Sequence, residues 1–552
     1  MRALVPGLAV LATSISLLGC ATDPSPSDEP EAATTQDLTV LQPAQLQSVL
    51  HGGPFGLHPL SDDPVPQPTS GGHIINQAAA IRLGKAFFWD TQASGDGKGA
   101  CGVCHASWGS DNRRINTINP GLDNVFGSSG VTGPGQTYTL KLITDDDIVG
   151  AQGVPFTTFV SLPDDPHVAA ENGTPVDDSV FHFERQVNFR QAPMIYGAAY
   201  LRELFWGGEA SENFNGATIW GLGPNGSGIM FANVQGAPLA SQAVGPPSNF
   251  TEMTYRGRRL TGPVNSFAAK MMARQPLQHQ HVSPTDSVLG ALANPNAPGL
   301  WCAGQPCTYQ QMINDAFGAD MGAQVFGTGI FTIFWGEAVM AYEQTLIPDQ
   351  TPFDRFFSGQ LSALTPKQIL GLATFVGRGN CVTCHAGPMF TDATLSYYQQ
   401  PGGVNRDGGD TGFHNIGIVN SDNDLGRGDV GPAGAPLAQV DSDFNKFSFK
   451  TPTLRNIGHT APYFHTGSKP TLADVVDFYD RGGDFANPQR SRDVKALHLT
   501  SIEKSALVDF MQNALSDCRV GKLRAPFDHP ELDVPNGQHI DAVGAEGTGP
   551  CP

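Results

Sequence analysis

Two copies of one short motif constrain this chain more than any other feature of its sequence. The pattern Cys-x-x-Cys-His occurs as Cys101, Cys104, His105 and again as Cys381, Cys384, His385. Zinc and dithiol sites use the same residue types. The composition predicts far less than one chance copy, however, and each copy follows a helical pattern. These facts favour covalent haem attachment, in which the two thiols add to the porphyrin vinyls and the adjacent imidazole ligates iron.

The spacing of the motifs suggests one haem per domain. They lie 280 residues apart, from His105 to His385. A helical pattern ending at Trp89 precedes the first, and a helix capped by Thr365, with Pro366 at its first position, precedes the second. We therefore predict a mainly α fold: two cytochrome c-like haem domains with long irregular loop insertions, of which residues 106–180 are the largest.

The predicted organisation has five segments. They are a lipoprotein signal peptide at 1–20, a tether and N-terminal extension at 21–75, an N-terminal haem domain with insertions at 76–345, a C-terminal haem domain at 346–520 and a C-terminal tail at 521–552.

The first residues predict export. Arg2 precedes a short apolar stretch, and Leu17-Leu18-Gly19-Cys20 is typical of a lipobox, although an ordinary secretory peptide is the alternative. We expect the protein at the periplasmic face of the envelope, with Cys20 lipidated and the membrane reached through this anchor only. The net charge of −20 argues against nucleic acid as a partner.

Four cysteines are left after the lipid site and the haem thiols. In an oxidising compartment Cys302 with Cys307, and Cys518 with Cys551, are plausible disulfides. Free thiols are the alternative.

The second iron needs a sixth ligand, and the sequence offers several. Met389 is too close to His385 to reach the opposite face, and Met511 lies inside the final helix. The other candidates are His414, His459, His465, His498, Tyr397, Tyr398, Tyr463 and Tyr479. Tyr479 shares a helical face with Leu472, Val475 and Val476, so it points where apolar residues point, although a core tyrosine would do the same. Because a phenolate favours oxidised iron, this ligand would suit oxidation chemistry.

Ordered sequence blocks between residues 76 and 520 resemble the bacterial dihaem cytochrome c peroxidases and MauG-like dihaem enzymes. The blocks are Leu83-Gly-Lys-Ala-Phe-Phe-Trp-Asp90, Arg190-Gln-Ala-Pro193, Phe205-Trp-Gly-Gly208, Ser241-Gln242 to Met253, Phe413-His-Asn-Ile-Gly417, Lys450-Thr-Pro-Thr-Leu-Arg-Asn456 and Thr460-Ala-Pro-Tyr-Phe-His-Thr-Gly467. Their order around two haem motifs makes the resemblance specific.

The resemblance implies roles for individual residues. Glu252 matches the family's distal acid-base glutamate, Gln242 a distal-pocket glutamine, and Trp206 the tryptophan that relays electrons between the haems. Tyr479 falls where peroxidases have a Met and MauG-like enzymes a Tyr. The first haem would be peroxidatic and the second would transfer electrons.

Some positions depart from the family pattern. The calcium ion between the domains takes an Asn side chain in the family, whereas Gln191 stands here, beside Thr460 and Pro462. His182 lies near the position of the switchable distal His of classical peroxidases, and Gly207 replaces an Asp.

The resemblance implies an oxidoreductase with two haems c and possible calcium. It would reduce hydrogen peroxide or form a high-valent haem oxidant, with a small redox protein or an unidentified organic molecule as its partner. One alternative is a dihaem oxygenase that cleaves polyisoprene with O₂ and needs no distal carboxylate. Another is a pure electron-transfer lipoprotein.

The two motifs make a direct prediction about covalent attachment. Mass spectrometry of the acid-denatured protein should show two haem additions, because thioether bonds survive unfolding. Replacing Cys104 or Cys384 should weaken attachment at that site only. One addition, or none, in the parent protein would contradict the interpretation.

Overall fold

The fold was examined in a computed structural model. It describes residues 42–51, 55–221, 231–326, 330–398, 403–418, 424–431, 434, 436–439 and 442–551. The predicted signal peptide, Cys20 and most of the predicted tether and N-terminal extension lie outside these residues. Where the chain is described, no helix has the length and apolarity needed to span a membrane.

Helices account for 29% of the residues and strands for 13%, so the mainly α expectation holds only in part. The α-helices are Pro43–His51 (α1), Gln77–Trp89 (α2), Cys101–His105 (α3), Pro238–Ala243 (α4), Phe267–Met272 (α5), Tyr309–Phe317 (α6), Ile330–Glu343 (α7), Pro352–Phe357 (α8), Pro366–Val376 (α9), Leu395–Tyr398 (α10), Leu472–Asp480 (α11), Ser501–Asp509 (α12) and Cys518–Gly521 (α13). A π-helical turn, Phe510–Ala514, continues α12.

The strands are short and belong mostly to the insertions. They are Ile118–Asn119 (β1), Ile148–Val149 (β2), Gln152–Pro155 (β3), Thr157–Ser161 (β4), Asn172–Pro175 (β5), Arg185–Val187 (β6), Asn213–Phe214 (β7), Val234–Gln235 (β8), Ala293–Asn294 (β9), Ala297–Cys302 (β10), Gln305–Pro306 (β11), Phe413–His414 (β12), Phe449–Lys450 (β13), Leu532–Asp533 (β14) and His539–Ile540 (β15). Antiparallel pairs β1–β2, β3–β6 and β4–β5 give residues 106–180 local order that their polar, Gly-rich sequence did not predict.

The first core forms where α2 crosses α7. At the crossing, a Cβ on Gly84 would overlap the carbonyl oxygen of Ala338 and lie 3.0 Å from Tyr342 Cβ. Only glycine permits this approach. Phe87 and Trp335, both fully buried, pack against each other at the same contact, with ring centroids 4.5 Å apart and ring planes tilted by 36°.

The second core repeats this arrangement with α9 and α12. A Cβ on Gly371 would overlap the Ala506 carbonyl oxygen and lie 2.6 Å from Phe510 Cβ. Helix α9 begins as predicted, with Thr365 in a capping box and Pro366 at the first helical position. In both halves the helix that precedes the haem motif therefore crosses the last long helix at a glycine.

Helix α1 and the segment after residue 520 pack on different halves of the molecule. Leu46 and Leu50 of α1 belong to the second core, and Gln47 donates hydrogen bonds to the Phe356 and Phe357 carbonyls. In the segment predicted as a tail, Phe527 and Leu532 are buried in the first core.

Both predicted disulfides are confirmed. Cys302–Cys307 closes the β10–β11 hairpin, and Cys518–Cys551 ties the final residues to α13.

The helix crossing in the second half predicts that a glycine-to-alanine change inside a helix is destabilising here. Alanine normally stabilises a helix interior by about 1 kcal/mol relative to glycine. Gly371→Ala should instead lower the free energy of unfolding by about 1–3 kcal/mol, because the added methyl forces α9 away from α12. Urea denaturation followed by circular dichroism measures this change. Ala473→Gly, at an exposed site of α11, is the control and should show the ordinary propensity cost. A Gly371→Ala protein as stable as the parent would contradict the crossing.

Candidate active site around the two haem motifs

The first motif forms its own short helix, α3, packed against the end of α2. Gly102 lies so close to Trp89 that a Cβ there would be 2.5 Å from the indole ring. His105 Nδ1 lies 3.0 Å from the Gly109 carbonyl oxygen. Because a carbonyl can only accept, Nδ1 is the donor, and Nε2 keeps its lone pair for a metal. Cys101 and Cys104 are both free thiols. The residues fit a haem c.

Glu252 lies beside this motif. Asn188 Nδ2 donates to Glu252 Oε1 at 3.0 Å. Burial, and to a smaller extent the nearby Glu252 charge, raise the pKa of both the Cys101 and Cys104 thiols. Burial also raises the pKa of Glu252 itself, although the Asn188 hydrogen bond opposes this. The structure thus brings a proton-exchanging carboxyl to the first motif.

A second carboxyl near this motif was not predicted. Glu343 ends α7 and is 2% exposed, and its Oε2 has no hydrogen-bond partner among the described residues. Burial raises its pKa to about 8, and its charge contributes to the raised pKa of Cys101. Glu337 and Glu343 are the two acidic residues of an otherwise apolar helix, and acids in such a helix are the sequence signal that could have found Glu343.

The second motif opens into a large, mainly apolar cavity. Cys381, Cys384 and His385 line it, together with Leu472, Val475, Val476, Tyr479, Leu507 and Met511. His385 Nδ1 donates to the Phe390 carbonyl oxygen at 2.8 Å, so its Nε2 is also free for a metal. The free thiols, the oriented imidazole and the apolar walls fit a second haem c.

Tyr479 reaches this cavity from α11, whose N-terminus Thr471 forms a capping box with Asp474. No hydrogen bond of the Tyr479 hydroxyl occurs within the described part of the chain. Burial raises its pKa well above the ordinary value, and charge on Cys384 and Cys381 would add to this. Met511 lines the same cavity, so a thioether is available there as well, which its place in the final helix did not indicate.

Most of the other predicted ligand candidates contact another side chain or a backbone carbonyl. His414 Nε2 pairs with Asp392 at 2.7 Å, His465 stacks on Phe449 with centroids 3.6 Å apart, and His459 lies 5.1 Å from the Trp108 ring. The Tyr463 hydroxyl donates to the Ile457 carbonyl and that of Tyr397 to the Phe55 carbonyl. His498 has positive φ next to α12, and the side chain of Tyr398 lies outside the described atoms.

The loop that aims His385 is fixed by a buried ion pair. Arg455 meets both carboxylate oxygens of Asp354 at 2.7 Å, and its guanidinium also donates to the Pro388 carbonyl at 2.7 Å. Burial opposes ionisation of Asp354, but Arg455 outweighs it and lowers the pKa of that carboxyl. The pair therefore stays charged and holds the segment that follows the second motif.

A series of contacts joins the second cavity to the first motif. Trp206, in the cavity wall, donates from Nε1 to the Gln191 carbonyl at 2.8 Å, and Gln191 Nε2 donates to the Asp111 carbonyl at 3.3 Å. The Asp111 carboxylate binds Arg113, whose Nη2 is 3.4 Å from Cys104 Sγ. Trp206 thus lies between the two motifs.

Two other predicted residues lie apart from these groups. Gln242 is half-buried on α4, and within the described residues no hydrogen bond joins it to Glu252 or to the first motif. His182 is 63% exposed and pairs with Asp177 at 2.9 Å.

The residues predicted for calcium, Gln191, Thr460 and Pro462, all line the wall of the second cavity. They supply neutral oxygens, and the Arg114 guanidinium lies 3.5 Å from the Ala461 carbonyl between them. Calcium prefers several oxygens that include carboxylates. This set fits calcium poorly.

The chain is similar in sequence to known proteins over part of its length. It is 34% identical over 183 residues to the cytochrome-c peroxidase IdrP2 of Denitromonas iodatirespirans, covering 31% of this chain and 46% of that protein. It is 29% identical over 204 residues to the methylamine utilization protein MauG of Methylorubrum extorquens, covering 37% and 48%. The chain therefore spans about half the length of these relatives. A crystal structure of a MauG-like protein associated with microbial copper homeostasis aligns over 86% of this chain and 97% of its own, with a TM-score of 0.43 and 17% identity.

The family model for di-haem cytochrome c peroxidases matches residues 78–362, more than half of the chain. That family carries two haems c, for which the two motifs provide the thiols and imidazoles. The chain belongs to the di-haem cytochrome c peroxidase family.

Proposed function

We propose that this protein is an oxidoreductase that uses hydrogen peroxide as oxidant at the first haem site and draws the electrons through the second. The observation that carries the proposal is the Glu252 carboxyl, half-buried beside the first motif and oriented by Asn188. The names of the curated relatives, which include cytochrome-c peroxidases and MauG, support it.

Glu252 would act as an acid-base group. A haem held by Cys101, Cys104 and His105 would supply the iron that binds peroxide. Glu252 would take a proton from one peroxide oxygen and deliver it to the other, which would leave as water. Burial raises the pKa of Glu252, which favours the protonated form between these two transfers, and Asn188 holds the carboxyl through Oε1 so that Oε2 is left for the substrate.

Trp206 would carry electrons between the haem sites. It lies in the wall of the second cavity, and hydrogen bonds through Gln191, Asp111 and Arg113 continue towards Cys104. Such a bonded path keeps the donor and acceptor groups in fixed geometry. Gln242 remains a predicted distal-pocket residue.

Tyr479 would bind the second iron. Its hydroxyl faces the cavity that holds Cys384 and His385 and has no hydrogen-bond partner among the described residues. Ligation would remove the cost of leaving that buried hydroxyl unpaired. As an anionic oxygen ligand it would stabilise oxidised iron. Met511 is the competing ligand in the same cavity.

The predicted location and partners belong to this proposal. The lipobox at Cys20 and the export signal favour a periplasmic lipoprotein whose reductant is a small redox protein or an organic molecule. Arg114 already provides positive charge beside Ala461, so we assign calcium no role in the reaction.

The dihaem oxygenase alternative is not favoured, because such an enzyme has no need of the carboxyl at Glu252. A pure electron-transfer protein would have no use for that group either.

Replacing Tyr479 with Phe tests the proposed ligand. Tyr479→Phe removes only the hydroxyl, so the spin state and optical spectrum of the second haem should change while both haems stay attached. Met511→Leu is the matched control in the same cavity and should leave the spectrum unchanged. The reverse result would make Met511 the ligand.

Replacing Glu252 with Gln tests the proposed chemistry. Glu252→Gln keeps the size of the side chain but removes the base, so the stopped-flow rate of haem oxidation by peroxide should fall by about 10²–10⁴-fold. In the parent this rate should rise with pH through the raised pKa of Glu252, because the base acts as a carboxylate. Glu343→Gln removes a similarly buried acid beside the same motif and should have a much smaller effect. A Glu252→Gln enzyme as fast as the parent would retire the acid-base role.

A further inference from the structure

An aromatic and cationic patch lies on the surface next to Glu252. Phe156 and Phe250 are neighbours, with ring centroids 6.1 Å apart and ring planes tilted by 52°. The Arg256 guanidinium lies over both rings, 5.6 Å from the centroid of Phe156 and 5.9 Å from that of Phe250. Phe250 is 46% exposed and Arg256 is exposed as well. We call these three residues the Phe–Arg patch.

Arg256 has no acidic partner within the described residues, although the chain has 52 acidic and 32 basic residues. Arg258 pairs with Glu171, and Arg185 with Asp96. Arg259 is exposed and has no acidic partner among the described residues either, but it lacks the aromatic rings that position Arg256. A guanidinium positioned by two aromatic rings and left without a carboxylate is arranged to bind an anion from solution.

The same strand positions the patch and the proposed acid-base group. Gln186, in β6, donates from Nε2 to the Phe250 carbonyl at 2.9 Å. Two residues later, Asn188 donates to Glu252 Oε1 at 3.0 Å. Alternate residues of one extended segment thus hold residues 250 and 252, so a molecule on the patch would lie close to Glu252.

We propose that the Phe–Arg patch binds a small aromatic carboxylate that gives electrons directly to the first haem site, in addition to those drawn through the second. This inference rests on the proposed peroxide chemistry and names the substrate class. With a phenolic acid, each of two donor molecules gives up one electron and one proton. Together these reduce one hydrogen peroxide to two waters and leave two phenoxyl radicals.

The size and charge of the patch select this class. An aromatic ring packs against Phe250 in the offset or edge-on geometry that such pairs prefer, and its carboxylate reaches Arg256. A neutral aromatic molecule would use the rings alone. A basic redox protein would find no carboxylate in the patch with which to pair.

Binding is tested first without peroxide, on the ferric protein with both haems attached. The probes are 4-hydroxyphenylacetate and its neutral amide, which share a ring and differ in charge. Equilibrium dialysis should show the carboxylate bound more tightly. Arg256→Gln should weaken carboxylate binding roughly 2- to 5-fold, the range of an exposed ion pair, and leave the amide unchanged. Arg259→Gln, at an exposed arginine without an aromatic contact, is the matched control and should bind both probes as the parent does.

A second variant tests the aromatic part of the patch. Phe250→Leu keeps an apolar side chain but removes the ring, so both probes should bind about 2- to 10-fold more weakly. Equal affinity of the parent for the two probes, or an Arg256→Gln protein that still prefers the carboxylate, would overturn the assignment.

Turnover measurements with two donors distinguish an error in the substrate assignment from an error in the proposed function. Arg256→Gln should raise KM for 4-hydroxyphenylacetate and leave kcat near the parent value, while peroxide reduction by uncharged ferrocenemethanol stays unchanged. If ferrocenemethanol is oxidised but the bound carboxylate is not, the substrate assignment is wrong. If peroxide oxidises neither donor, the proposed function fails, and with it the role of the patch in catalysis.

Discussion

The structure depends on a close helix crossing that occurs once in each half. Gly84 meets α7 and Gly371 meets α12, and in both places any side chain would overlap a backbone carbonyl. The crossing fixes where the helix before each motif ends, and therefore where the two thiols and the imidazole begin. Because the two crossings are alike, each motif follows a helix that is held in the same way. The insertions around the two motifs differ, so the surroundings of the motifs differ as well.

The surroundings differ in the placement of charge. The first motif has two acids near it, the half-buried Glu252 and the buried Glu343, and within the described residues only Glu252 accepts a side-chain hydrogen bond. The second motif faces an apolar cavity, and the segment that follows the motif is held by the Arg455–Asp354 pair. A site with exchangeable protons suits bond cleavage, whereas a site with apolar walls and fixed ligands suits storage of an electron.

Sequence patterns predicted the local features well. The cap at Thr365, with Pro366 at the first helical position, depends on adjacent residues, and Cys302–Cys307 joins cysteines five residues apart. Features that depend on distant residues were missed, because no local pattern records them. These include Met511 in the second cavity and Glu343 beside Cys101, whose Oε2 has no hydrogen-bond partner among the described residues. The strand pairs that begin within residues 106–180 were missed because their strands, two to five residues long, are too short to show an alternation of apolar residues.

The packing of α1 has a consequence for the order of folding. Leu46 and Leu50 belong to the core of the second half, although they precede the whole first half in the chain. Gln47, between them, bonds the Phe356 and Phe357 carbonyls, about 310 residues further on. The second core is therefore complete only after chain segments on both sides of the first half have met, and contacts between such distant residues form slowly.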